Sequence, residues 1–442
     1  MSLRALLCAA VLCAAPASAQ VNAFGFAGSQ TAAGPTSPEL VGSAFSGVAL
    51  PSDGAGSFLL NPARLASVEA GISASLPARR FAFDLFRSDD PPVQSAQSLV
   101  AGFGREASAW RFGAGFGRSA YSFTQQQTDQ SGNEAGTLDF VYSSLVLGGA
   151  AAYQGAVTAS FGIAARHVSE PLSGLLQSDG SFTVEDESGW GVDLGAQVGI
   201  PVVRAQPAGG FSAEVGLGYA LQNWGPDLSI RIDETADSRQ IPYPLAARAR
   251  LGWSASFGYD TALRDRPVRA LQVDVALEAS HLLTRQTQEA LFDPPGNPAP
   301  LAQPPAYRAA APLGRIRPLD ALLGRSRSPD GSTDSFDADA PGVVGHRSVR
   351  LEAFEAVTVR LGVHGSPFRP TEETVFAWGA GLSTAGLLRL LAPASGLASI
   401  AEAGDFRLDY AWYELYQESV ADIAPDYRQP WTLGATLVAR WP

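Results

Sequence analysis

The chain has 442 residues, of which 46% are hydrophobic and only 17% charged, with a formal net charge of −12. That charged share lies below the roughly 25% of ordinary soluble domains, and the acidic balance, in which all 31 basic residues are arginine, argues against nucleic acid as a partner. Both cysteines, Cys8 and Cys13, sit in the first twenty residues, so a chain that loses that stretch has no disulfide, no thiolate metal ligand and no cysteine nucleophile.

Those first residues read as an export signal. Arg4 gives a basic start, residues 5–15 an apolar run, and Ala17-Ser18-Ala19 before Gln20 the small residues of a cleavage site. Residues 1–19 are therefore assigned to a signal peptide. The rival, an uncleaved membrane helix, is disfavoured because the run is short of the roughly 20 apolar residues that span a bilayer. Cys13 follows Val11-Leu12, without the Leu-Ala-Gly type of setting that marks a lipoprotein, so no acyl anchor is expected.

Residues 20–70 are rich in Gly, Ala, Ser and Pro and show no sustained alternation. From there on, period-two alternation dominates. Val157, Ala159, Phe161, Ile163 and Ala165 oppose Thr158, Ser160, Gly162 and Arg166; Trp190, Val192, Leu194, Ala196 and Val198 oppose Gly191, Asp193, Gly195, Gln197 and Gly199. Residues 211–221 and 271–280 repeat the pattern. Runs of about ten residues suit a tilted strand crossing hydrocarbon, whereas soluble strands are nearer five or six. The pattern predicts about fourteen strands, near 71–86, 96–104, 109–123, 137–152, 156–168, 184–200, 211–223, 241–257, 269–286, 346–354, 356–364, 373–384, 404–416 and 431–441.

In lipid every backbone N–H and C=O needs an internal partner, so such strands must close on themselves. The expected fold class is all-β, a transmembrane antiparallel barrel spanning residues 71–442. An even strand count puts both ends in the periplasm and the connections after odd-numbered strands outside. Short links at Arg105-Glu106 and Gln154-Gly155 then lie in the periplasm, and the longer polar ones, 124–136, 171–183 and 287–345, lie outside. Trp110, Trp190, Trp253, Trp378, Trp412 and Trp431 fall at or near strand ends, where interfacial girdles belong. The alternative is that they are core aromatics of a soluble β-protein.

A barrel of about fourteen strands is too wide for its own side chains to fill. Residues 20–70 are the candidate plug, the other reading being a periplasmic tail. The connection 287–345 carries many prolines and Asp330, Asp334, Asp337 and Asp339, and reads as an extracellular loop that folds over the mouth or onto a partner. Calcium is a weaker reading of those aspartates, since EF-hand spacing is missing. Residues 385–403, with Leu387, Leu388, Leu390 and Leu391, suggest a short amphipathic helix at the periplasmic rim. His167, His281, His346 and His364 are scattered, and no Gly-x-Ser-x-Gly or His-Glu-x-x-His motif is present, so neither an enzyme nor a cofactor is expected.

Two stretches carry a family likeness. Gly42-Ser43-Ala44-Phe45-Ser46-Gly47-Val48-Ala49-Leu50, continuing through Asp53 and Ser57 to Asn61-Pro62-Ala63-Arg64-Leu65-Ala66, resembles the amino-terminal signature of PorV/PorQ-like outer-membrane proteins and, more distantly, FadL-type hydrophobic-compound transporters. Residues 350–354, 359–362, 378–382 and 406–412 follow in the order that family uses. The resemblance implies a fourteen-stranded barrel of the cell outer membrane with an amino-terminal hatch, in which Asn61, Pro62 and Ala63 match the hatch motif. Asn bonds neighbouring backbone and Pro fixes φ, which suits an irregular segment held inside a barrel. Arg64 departs from the family's usual Gly, 287–345 is unusually long, and the chain ends Trp441-Pro442. Two functions follow from the resemblance: passage or binding of hydrophobic small molecules, or a scaffold of type IX-like secretion that holds exported proteins through its outer loops.

Overall fold

The computed structural model describes residues 37–50, 54–68, 71–80, 93–104, 109–128, 134–170, 182–184, 187–204, 209–226, 228–234, 238–243, 245, 247–263, 266–283, 322–323, 325–327, 333–334, 343–365, 374–391, 397–416 and 431–440. The expected signal at 1–19 and most of 287–345, including Asp330, Asp337 and Asp339, lie outside the described residues.

Among the described residues, fourteen strands close into one antiparallel barrel. They are β1 (Gly71–Arg80), β2 (Val93–Gly104), β3 (Trp110–Thr128), β4 (Glu134–Gln154), β5 (Thr158–Glu170), β6 (Glu187–Val203), β7 (Gly210–Trp224), β8 (Arg248–Leu263), β9 (Arg266–Leu282), β10 (Val343–Ala353), β11 (Val357–Gly365), β12 (Thr374–Ser383), β13 (Gly404–Tyr416) and β14 (Trp431–Arg440). Each pairs with its neighbours in sequence, and β1 closes on β14 with Gly71 opposite Arg440. Every predicted strand is present. Closure removes the edges that would otherwise leave unpaired amides.

The alternation sets the two faces. Along β5, Phe161 and Ile163 are exposed outward while Gly162, Ala164 and Arg166 are buried inward. Leu217, Phe257, Leu271 and Leu437 extend the exposed apolar belt around the wall. A contiguous apolar surface of this size is untenable in water, and no described helix is long and apolar enough to cross a membrane. Lipid chains are the medium that belt fits.

Three features differ from the sequence reading. The segment 124–136, taken as a loop, is mostly strand: β3 and β4 stay paired out to Thr128 opposite Glu134. Above the hydrocarbon a ladder needs no apolar face, so Gln125, Gln126 and Gln127 extend it without alternating. Three short strands, Phe182–Val184, Leu228–Glu234 and Ser238–Tyr243, form a separate sheet from connections read as irregular. Two tryptophans are the third: Trp253 lies six residues into β8, opposite Leu217 and Leu277, and Trp378 midway along β12, opposite Leu361 and Trp412, rather than at strand ends. Trp110, by contrast, opens β3 and meets Tyr153 edge-on at 5.4 Å between ring centroids.

The 385–403 link holds two helices, α2 (Thr384–Leu391) and α3 (Leu397–Ala403). One more short helix, α1 (Pro38–Gly42), and two 3₁₀ turns, Ser57–Leu59 and Pro62–Ser67, lie in the segment before β1.

Candidate functional site

Residues 37–50 and 54–68 lie against the inner wall, and the wall is shaped to admit them. A Cβ at Gly195 would overlap the Asn61 Oδ1 and come within 2.8 Å of Ala63 N; one at Gly162 would come within 2.5 Å of the same nitrogen. Inward glycines at Gly113, Gly218 and Gly362 likewise face the backbone of Leu65, Val48 and Ser43. Only a residue with no side chain lets the two backbones come so close. Elsewhere the inner face is apolar where the segment is apolar: Phe58 and Leu65 pack on Val100, Val146 and Ala164. The interior is therefore not uniformly polar as the strand pattern suggested, because chain rather than water fills it there. Burial of each large apolar side chain contributes about 1.5–3 kcal/mol.

Asn61 is fully buried at the N-cap of the second 3₁₀ turn. Its Oδ1 accepts from Ala63 N at 3.1 Å, and its Nδ2 donates to Val48 O at 2.8 Å. Pro62 occupies the first position of that turn, where the missing N–H costs nothing. Ala63 is buried against Gly162 and Gly195, where a larger residue would collide with the wall. Arg64 donates to Leu50 O at 2.7 Å, tying the two halves of the segment together.

A further attachment, invisible in the sequence, is a hook at residues 44–48. Ala44 and Phe45 both adopt left-handed conformations, φ 49° and 60°, and Gly47 has φ 153°. Left-handed geometry costs an L-residue about 1–2 kcal/mol, so the hook must be held from outside. Glu278 on β9 accepts from both Gly47 N and Val48 N, at 2.9 and 3.0 Å, on one carboxylate oxygen. Arg250 on β8 pairs with the other oxygen of Glu278 at 2.6 Å and donates to Phe45 O at 3.0 Å. His346 on β10 reaches Ala44 O at 2.9 Å through Nδ1 and Ser280 at 2.8 Å through Nε2. Around the rest of the lumen Gln197 donates to Val48 O, Ser254 to Ala49 O and Gln222 to Leu59 O. The buried pair Arg166–Asp193, at 2.6 Å, also reaches the segment, with Arg166 donating to Leu59 O. Asp193 sits at the β6–β7 bulge and accepts from Asn223 N, whose φ is 56°.

One side of the segment borders a polar cavity of about 550 Å³. Arg111, Arg269, Arg350, Arg360, Arg389 and Arg407 line it, with Glu39, Glu352, Asp405 and Asp409 among them. Most of these charges are paired: Arg350 with Asp274, Arg360 with Asp409 and Arg407 with Asp405, each at 2.7 Å. Glu355, Ala385, Arg389 and Arg440 border the cavity at the end of the barrel where β1 begins and β14 ends.

No family model and no curated protein matches the chain. Among solved structures it is similar to the CymD monoaromatic hydrocarbon channel, at 14% identity over 95% of this chain and 99% of that one, with a TM-score of 0.43. It is also similar to the toluene transporter TodX of Pseudomonas putida, at 12% identity over 88% of this chain and 94% of that one, TM-score 0.38. A third is a FadL homologue of Pseudomonas aeruginosa, at 9% identity over 92% and 98%, TM-score 0.42. None of these three is a PorV or PorQ protein.

Proposed function

We propose that this barrel sits in the outer membrane and passes hydrophobic small molecules, with residues 37–68 acting as a movable plug. The observation that carries the reading is the hook at 44–48: a strained backbone held in the lumen by wall side chains through Glu278, Arg250 and His346. Contacts of this kind can be exchanged for water, so the segment can let go without unfolding the wall. Asn61, Pro62 and Ala63 then serve as the seat of the plug, packed where Gly162 and Gly195 make room.

The polar cavity supports a sideways rather than a straight-through exit for an apolar solute. Paired arginines and carboxylates offer it nothing to replace the lost hydrocarbon environment, whereas the lipid belt outside the wall does. The secretion-scaffold alternative draws on the connection 287–345, and no observation among its described residues favours it.

Uptake of a labelled long-chain fatty acid or monoaromatic hydrocarbon tests the proposal. Cells carrying the full chain should accumulate more than cells without it, and deletion of residues 21–66 should lower uptake, because an emptied polar lumen gives an apolar solute no reason to enter. Equal uptake with and without the chain overturns the reading.

A further inference from the structure

The helices between β12 and β13 are fastened to the rim. Asp405 accepts from Ser383 Oγ and Ala385 N, each at 2.9 Å, which caps the start of α2. Gly386 lies so close to Glu355 and Ala356, in the turn between β10 and β11, that a Cβ would overlap the Glu355 carbonyl. Arg389 pairs with Glu355, and both Arg389 and Arg440 donate to Ala401 O in α3. The element is thus tied at its start, along its length and at its return.

Its two faces differ. Ala385 and Arg389, four residues apart and so on one side of α2, line the polar cavity. At about 100° per residue, Leu387 and Leu391 fall near the opposite side, away from the barrel axis. Leu391 is 81% exposed, more than any other large apolar residue described, and Ile400 on α3 is 58% exposed. A rigid, tightly capped element has no mechanical reason to hold such residues in water. Its two attachment points belong to the apolar belt: Leu382 precedes α2 and Phe406 follows α3, both exposed on the outer wall at 49% and 44%.

We infer that α2 and α3 form an interfacial anchor, with Leu391 and Ile400 inserted at the headgroup boundary of the leaflet on the side where β1 begins and β14 ends, among phospholipid acyl chains. Continuity with the apolar belt is the reason for choosing lipid over a protein partner. This rests on the reading of the barrel as membrane-embedded.

The test is quenching by brominated phospholipid in vesicles that contain the full chain, with Cys8 and Cys13 replaced by serine. An environment-sensitive fluorophore is placed singly through Leu391→Cys, Ile400→Cys, Leu217→Cys on the mid-wall and Glu402→Cys on the exposed side of α3. An interfacial helix buries its apolar face roughly 5–10 Å below the headgroups. The labels at 391 and 400 should therefore lose fluorescence to bromines placed high on the acyl chain, the label at 217 to bromines placed deep, and the label at 402 to neither. Unquenched labels at 391 and 400 beside a quenched 217 overturn the anchor while leaving the barrel in the bilayer. An unquenched 217 removes the membrane reading and the anchor with it.

Discussion

Replacing Glu278 with alanine tests the plug directly. In the native arrangement one carboxylate oxygen holds Gly47 N and Val48 N while the other pairs with Arg250, and side-chain exposure is 1% for both partners. A hydrogen bond to a charged group contributes about 1.5–3 kcal/mol. Taking the lower value for each amide, Glu278→Ala removes about 3 kcal/mol from the docked state, and at about 1.36 kcal/mol per decade this is a shift of somewhat over a hundredfold toward release. Arg250 pushes the same way. Beneath a docked plug it keeps Phe45 O and the Gln222 side chain but is a buried cation without its carboxylate, whereas release lets lumen water reach it. Glu278→Gln keeps the shape and one acceptor oxygen but loses the charge, so a shift nearer tenfold is expected, in line with the roughly 1 kcal/mol of a neutral hydrogen bond. The assays are conductance of the purified barrel in planar bilayers and protease cleavage within residues 37–68. Glu278→Ala should raise both, and Glu278→Gln should lie between it and the parent. If Glu278→Ala barrels keep the parent's conductance and protection, the hook does not hold the plug and the proposed gating is wrong.

Gly195→Ala should loosen the same segment by forcing a Cβ into the Asn61 Oδ1, at the roughly 1–3 kcal/mol typical of overpacking. Asn61→Ala should be partly compensatory in the double variant, and additive proteolysis rates would show that the two positions do not touch as described. Asn61→Ala alone should cost about 1–2 kcal/mol of plug docking, read as faster cleavage within 37–68, because it removes a cap on Ala63 N and a buried bond to Val48 O. Leu217→Arg places a charge on the outer wall, where mid-bilayer arginine costs about 2–4 kcal/mol; the yield of folded barrel in lipid should fall, and an unchanged yield would deny that this face meets lipid. Glu278→Ala should also raise flux of a small hydrophilic solute far more than uptake of a hydrophobic one, and equal increases in the two would mean that apolar solutes cross through the polar cavity after all.

The barrel was legible because alternation over ten or more residues has one physical meaning when the polar residues face in and the apolar ones face out. All fourteen strands could be placed from it, and the even count explains why Gly71 comes to lie beside Arg440. Legibility stopped where that contrast stopped. Gln125, Gln126 and Gln127 continue a ladder with nothing apolar to alternate against, and the small sheet of 182–184, 228–234 and 238–243 is built from strands too short for a period to show. Trp253 misled because an aromatic residue on a membrane barrel can also be lipid-facing in mid-strand. Asn61, Pro62 and Ala63 came forward through resemblance alone. Their wall partners were unreadable for a different reason: Glu278 reaches Gly47 across a sequence separation of 231 residues, and nothing local distinguishes it from the many other polar residues on inner faces. One signal was available. Glycine recurring on the inner face, at Gly162, Gly195, Gly218 and Gly362, is more than a polar face needs, and it marks where another backbone comes close.

The placement of charge inside the barrel bears on what the plug is for. Were the lumen meant only to be sealed, apolar contacts such as those of Phe58 and Leu65 with Val100, Val146 and Ala164 would suffice without the added polar holds. The hook, where Phe45 packs on Ala411 and Val48 on Ala220, is also held by Glu278, Arg250 and His346, which keep satisfactory partners among themselves or in water once the backbone has left: Glu278 retains Arg250, and His346 retains Ser280. An apolar seat would expose its surface on release and draw the segment back; a polar seat releases at lower cost. The strained conformations of Ala44 and Phe45 add to the tendency to leave. If the segment moves as proposed, the polar holds at the hook are the ones it can leave, and the apolar contacts at Phe58 and Leu65 mark the end about which it would swing.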